Sequence, residues 1–287
     1  MQSNNKEMGS WLPRIGLQLS NWFERWFPDA FALATVAVAI VFAACLANGS
    51  GVMQTAQWFG SGFWDLMTFT LQVAMIIITG YAVATAPPVF KIIYRLAGIP
   101  RNGRNAIAFV ALFSMLTSML SWSFSLIFSA LLAREVAHRV KGSDYRSIGA
   151  AAYLGVGSIW ALGMSSSAAL IMATPASLPQ SIMNISGVIP IGQTLGLWQS
   201  LLTAAVLLGV SMAIAFYSAP ADAQARGMSA MGVEYAPPKV DASKPERPGE
   251  WLEYSPLLTL LVSILGIAFL GMEVSQKGLS ILLDLNH

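Results

Sequence analysis

Two short serine patches set in apolar sequence are the residues of this chain whose types and spacing suit chemistry. The first reads Ser121-Trp-Ser123-Phe-Ser125 and the second Gly163-Met-Ser165-Ser166-Ser167. Serine hydroxyls give and accept hydrogen bonds, and glycine beside them lets a backbone leave the helix. A helix broken inside a bilayer frees N–H groups at a positive dipole end, which suit a carboxylate. It also frees carbonyls at the other half-helix, which suit a cation. The competing explanation for each patch is close helix packing, with hydroxyls bonded to the carbonyl four residues back. Two such patches in neighbouring segments favour binding, because polar interruptions that meet at mid-membrane form the sites of many secondary carriers. The sequence therefore nominates Ser121, Ser123, Ser125, Gly163, Ser165, Ser166 and Ser167 as substrate contacts, with no catalytic residue.

Other chemistries lack their residues. The apolar spans carry no interior carboxylate, lysine, arginine or histidine, which argues against a proton relay of intramembrane carboxylates. No Walker loop, HExxH, nucleophile elbow or paired cysteines occur. The one cysteine, Cys45, reads as a packed thiol. His138 in a basic loop has no nearby metal-ligand partners in sequence. An enzyme is not expected, nor a resident cofactor, apart from a coupling ion, Na+ or H+, with the lack of buried carboxylates favouring Na+.

The elements that position the patches are membrane helices. Of 287 residues, 55% are hydrophobic and only 10% charged, and the mean hydropathy is +0.61. This composition places the chain among all-α polytopic membrane proteins rather than soluble domains. Apolar stretches long enough for a core of roughly 30 Å run near 30–47, 64–86, 147–174, 195–217 and 255–272, giving about five transmembrane helices. A net charge of +2 implies no nucleic-acid partner. Residues 1–28 read as an interfacial amphipathic helix. Its stripe of Trp11, Ile15, Leu19, Trp22 and Trp26 faces the headgroups, opposite Arg14, Glu24 and Arg25.

Charge placement sets the topology of the serine-bearing segments. The stretch 106–133 is apolar, yet Arg101 and Arg104 precede it and Arg134, Arg139, Lys141 and Arg146 follow it. Basic residues favour the cytoplasmic side, so both ends want the same face. As a re-entrant hairpin, 106–133 leaves fifteen of the sixteen Lys and Arg residues cytoplasmic, with Lys277 outside; as a single crossing it splits them eight and eight. The re-entrant hairpin is the reading adopted. It puts 48–63 and 175–194, which hold no charged residue, outside. It also makes 218–254, rich in charge and proline, a cytoplasmic linker. The amino terminus is then cytoplasmic. The units become a first transport repeat at 29–217, containing the hairpin and the interrupted span 147–174, then the linker, then residues 255–287 as the start of a second half.

Several segments together resemble the bacterial short-chain fatty acid transporter family. They are Gly60-Ser-Gly-Phe-Trp64, the run from Ala133 to Tyr145, Ala152-Tyr-Leu-Gly155, Ala173-Thr-Pro175 and Gly187-Val-Ile-Pro-Ile-Gly192. The resemblance implies an inner-membrane carrier taking up short monocarboxylates such as acetoacetate or butyrate, driven by an ion gradient. It also implies a fold of two inverted repeats, of which this chain holds the first. A separately encoded second half or another copy of the chain is the expected partner, besides the lipid bilayer. The alternative is a truncated or accessory membrane subunit without transport of its own.

Overall fold

The computed structural model describes residues 11–175, 178, 180–221, 223–236, 251 and 255–278. The interfacial stripe becomes α1 (Trp11–Trp26), with Trp11, Trp22 and Trp26 exposed. Asp29 caps α2 (Ala30–Ala47), its carboxylate accepting the Phe31 N–H at 2.8 Å. The uncharged stretch 48–63, read as a loop, is helical from Val52 onward, because α3 (Val52–Thr85) passes through Gly60 and Gly62 unbroken. At 34 residues it is about 51 Å long. Ala86 is extended before Pro87, as a residue preceding proline must be, and the chain turns through 75° into α4 (Pro87–Leu96).

The serine-bearing stretch forms a tight helical hairpin. Asn102 caps α5 (Gly103–Leu120) by accepting the Asn105 N–H at 2.9 Å. The single residue Ser121, at φ −155° and ψ 124°, separates it from α6 (Trp122–Arg139). The two helices are antiparallel: Ser114 meets Ser125 near the turn, and Gly103 meets Gly142 at the far end. A Cβ on Gly103 would lie 2.8 Å from the Gly142 carbonyl oxygen. Both ends of the hairpin thus lie together, as the basic flanks require. Each arm has 18 residues, about 27 Å, and extends beyond the 106–133 boundaries read from hydropathy.

The interrupted span is broken where glycine and serine are densest. It opens as α7 (Tyr145–Leu154), widens into a π turn over Gly155–Ile159, tightens into a 3-10 turn over Trp160–Leu162 and leaves the helix at Gly163. It resumes as α8 (Ser167–Ala173). It runs parallel to α5, since Gly155 lies on Ser114 and Gly163 on Met119. Ala106, Val110, Ala111 and Met115 of α5 pack with Leu132, Val136, Ile148, Ala151 and Ile159 into the core. Small residues allow this close approach. A short helix α9 (Gln180–Ser186) follows; α10 (Trp198–Tyr217) packs on α5, and α11 (Pro256–Lys277) comes last. Among the described residues, five helical spans are long and apolar enough to cross a membrane: 30–47, 103–120, 145–173, 198–217 and 259–276. The expected 64–86 span appears as Val73–Thr85 joined through the bend to α4. The protein is an all-helical, polytopic membrane protein.

Residues 219–221 and 223–236, part of the segment read as a linker, fold back on the basic end of the hairpin. Asp144 caps α7 through the Ser147 N–H at 2.9 Å, pairs with Arg146 at 2.6 Å and accepts the Arg226 N–H at 3.0 Å. The Arg226 carbonyl accepts the Tyr145 N–H at 2.8 Å. Burial alone would raise the Asp144 pKa, but the Arg146 and backbone donors outweigh it and hold the carboxyl below its ordinary 3.8. Tyr235 stacks on His138 at 3.8 Å and donates its hydroxyl to Glu135, which pairs with Arg139 at 3.5 Å. Burial, then the Glu135 carboxylate, push the Tyr235 hydroxyl up to about 12. Residues 222, 237–250 and 252–254 of the segment, and the ends 1–10 and 279–287, lie outside the described residues.

Candidate substrate site at the hairpin tip

The two interruptions meet. At the tip, the Met164 N–H donates to the Met119 carbonyl at 2.7 Å, and the Trp122 N–H donates to Ser165 Oγ at 3.0 Å. Gly163 is obligatory, because a Cβ there would fall inside the backbone of Met119. The C-terminal end of α5 and the N-terminal end of α6 therefore share one spot with a non-helical backbone, and both helix ends carry partial charge. No Asp, Glu, Lys, Arg or His occurs from Asn105 to Ala133 or from Ser147 to Ala221, so the tip offers hydroxyls and backbone groups alone.

The nominated residues take distinct places. Ser121 Oγ accepts the Phe124 N–H at 3.4 Å, capping α6, and lies 3.4 Å from Ser123 Oγ. Ser123 is buried. Ser165 Oγ receives Trp122 and reaches the Ser118 carbonyl at 3.5 Å, a long contact. Ser166 caps α8 through the Ala169 N–H at 3.4 Å and is buried, whereas Ser167, the first residue of α8, is exposed. Ser125 is set apart from the rest. It is fully buried one turn below the tip, donates to the Ser114 carbonyl at 2.7 Å, and ties the two arms together.

Two residues that sequence reasoning passed over organise this region. The Ser114 hydroxyl donates to the Ala152 carbonyl at 2.6 Å and accepts the Gly155 N–H at 2.9 Å, joining the hairpin to the broken span. Ser118, one turn later, is fully buried and its hydroxyl has no partner. Lone serines in an apolar helix read as self-bonded to the preceding turn; only their four-residue spacing, which puts both on one face, hinted at more. The tip is rimmed by the exposed side chains of Leu120, Phe124 and Met164. A cavity of about 340 Å³ lies elsewhere, at the basic end against Asp144 and Arg146, and among the described residues no group of His, Cys, Asp or Glu could hold a metal ion.

An all-helical bundle of candidate membrane spans, in which two backbone breaks meet at an uncharged tip, defines the class of polytopic membrane proteins. The chain belongs to the short chain fatty acid transporter family, whose sequence profile matches residues 11–287. A relative from Escherichia coli (strain K12), provisionally named short-chain fatty acid transporter, is 32% identical over 274 residues, covering 94% of this chain and 61% of the relative. One from Haemophilus influenzae with the same provisional name is 28% identical over 282 residues, covering 95% of this chain and 62% of the relative. The chain thus spans about three fifths of the curated relatives it matches. No solved structure matches it.

Proposed function

We propose that this protein acts in the ion-coupled uptake of short-chain monocarboxylates, such as butyrate or acetoacetate, across a bacterial inner membrane. The observation that carries this reading is the meeting of two backbone breaks at one uncharged tip, with Trp122 N–H on Ser165 Oγ. The positive end of α6, with the hydroxyls of Ser121, Ser123, Ser165, Ser166 and Ser167 beside it, would receive the carboxylate. Ser125 would hold the arms in register for it, and Gly163 would let the broken span approach. Carbonyls at the end of α5 would receive a coupling cation; with no carboxylate in the tip to carry a proton, sodium is the preferred ion. The basic end faces the cytoplasm together with the amino terminus. The exposed rim of Leu120, Phe124 and Met164 would be covered by a second hydrophobic repeat or another copy of the chain.

Uptake of labelled butyrate tests this. In a transport-competent assembly, the Ser123→Ala/Ser166→Ala double variant should lose roughly tenfold or more in uptake with membrane expression intact, the scale of one or two charge-assisted hydrogen bonds. Unchanged uptake would return both patches to helix packing, and uptake driven by a pH gradient without sodium would remove the sodium assignment. A membrane subunit without transport of its own would be silent in every assembly. For orientation, Arg101→Cys and Lys141→Cys in a Cys45→Ala background should be labelled only from the cytoplasmic side; labelling from opposite sides would sink the re-entrant hairpin.

A further inference from the structure

The hydroxyl of Ser118 is unpartnered for a reason visible in its surroundings. A serine inside a helix ordinarily donates to the carbonyl four residues back, here that of Ser114. That carbonyl already accepts Ser125 Oγ at 2.7 Å and the helical N–H of Ser118 itself, while the Thr117 hydroxyl donates to the Phe113 carbonyl at 2.7 Å. Two lone pairs are thereby fully committed. Ser118 is left with a donor that has no partner, in a position with no solvent exposure. An unmet buried donor is costly, and costlier where water is scarce.

The position makes this more than a packing defect. Ser118 is in the last turn of α5, three residues before the Ser121 break. Its carbonyl receives Ser165 Oγ from the broken span at the long distance of 3.5 Å. The N-terminal turn of α6, an 18-residue helix, begins at the same break; its Trp122 and Phe124 N–H groups are taken by Ser165 Oγ and Ser121 Oγ, which leaves the Ser123 N–H as the first-turn donor without an intrahelical partner. The chemistry of the orphan selects the ligand. A cation would occupy the hydroxyl lone pairs and leave its proton unplaced, whereas an anion oxygen supplies the missing acceptor.

Resting on the carboxylate reading given above, we infer that Ser118 is a further substrate-binding residue. Its hydroxyl is held free by the saturated Ser114 carbonyl so that it can donate to the substrate carboxylate alongside the α6 N-terminus. In the empty protein this hydroxyl destabilises the fold; with carboxylate bound it contributes affinity.

The test is thermal unfolding of the purified 287-residue chain, titrated with sodium butyrate against sodium chloride at equal ionic strength. Ser118→Ala should melt at the same or a higher temperature than wild type without butyrate, and should bind butyrate on the order of tenfold or more weakly, the scale of a hydrogen bond to a charged group. Ser129→Ala removes the other fully buried, unpartnered serine hydroxyl among the described residues, two turns away from the tip on α6, and should leave the butyrate midpoint unchanged. A Ser118→Ala variant that melts lower and keeps the wild-type midpoint would show a hydroxyl satisfied by trapped water, overturning the inference. Equal weakening in both serine variants would overturn it as a general packing effect. A wild type that responds while Ser118→Ala matches it sinks this inference alone; a wild type that never responds to butyrate sinks the carboxylate reading with it.

Discussion

The hairpin with its broken span and the outlying helices α2 and α11 are made of similar material and behave as opposites. α2 is the most apolar of the spanning helices and α5 the least, yet none of α2 is buried while α5 lies at the centre of the core. In water this order would be perverse. In a bilayer, lipid tails solvate leucine and valine as well as a protein interior does, so apolarity alone does not drive burial, and small and hydroxyl-bearing residues that let backbones touch and bond are favoured inside. The described residues of α11 follow α2, with no buried side chain. Apolarity therefore marks the lipid-facing surface, and the more polar helix marks the interior and the site.

The sharpest break of this contrast is at glycine. Gly155→Val drives side-chain atoms into the Ser114 carbonyl and should cost ~3 kcal/mol, read as loss of monodisperse protein and a lowered unfolding temperature. Asp144→Asn comes next. It strips Arg146 of its partner and should cost about 2 kcal/mol, less than the ~3–5 kcal/mol of a fully buried broken pair because Arg146 reaches solvent. The pH dependence follows from the lowered pKa of Asp144. Its contribution is complete above the unfolded value of 3.8 and disappears as pH falls through the lower folded value. Wild type should therefore lose more stability than Asp144→Asn on acidification below about pH 4, checked by melting curves of both. Tyr235→Phe should cost ~1 kcal/mol or slightly more and speed tryptic cleavage after Arg226, whose N–H and carbonyl are both engaged in the docked segment. At the other extreme, Gly271→Ala in α11, where nothing lies within 4 Å, should change stability by under ~1 kcal/mol and in the favourable direction. A comparable loss there would erase the distinction between the two regions.

The parts of this arrangement that sequence revealed were those written locally. The basic flanks and the Ser-Trp-Ser-Phe-Ser patch located the turn at Ser121, and the density of glycine and serine located the break at Gly163. Boundaries drifted where hydropathy was the only guide: the uncharged stretch 48–63 was read as external to the spans, whereas α3 already begins at Val52 and runs through Gly60 and Gly62, where a glycine is tolerated in a long helix that packs little. The docking of 219–221 and 223–236 was hidden, since Tyr235 and Glu135 are a hundred residues apart and the prolines and charges of 218–254 are those of a tether. Ser125 shared a motif with Ser121 and Ser123 but stands one turn down, on the face of α6 that meets α5. Periodicity could have set it apart; composition could not.

The π turn at Gly155–Ile159 also fixes an angular phase. Each residue of an α-helix advances the direction of its side chain by about 100°, and a π turn accommodates roughly one residue more than the α-helical path would hold. The wide turn therefore acts as a rotational offset between the half of the span that grips Ser114 and the half that carries Gly163 to Met119. Deleting one residue within 155–159 would let the helix wind regularly, leaving composition and apolarity almost untouched. The distal half would then keep its phase, because the wide turn had absorbed the extra residue, whereas winding all five residues as α-helix would rotate that half by about 100° and turn Gly163 and Ser165 away from the hairpin.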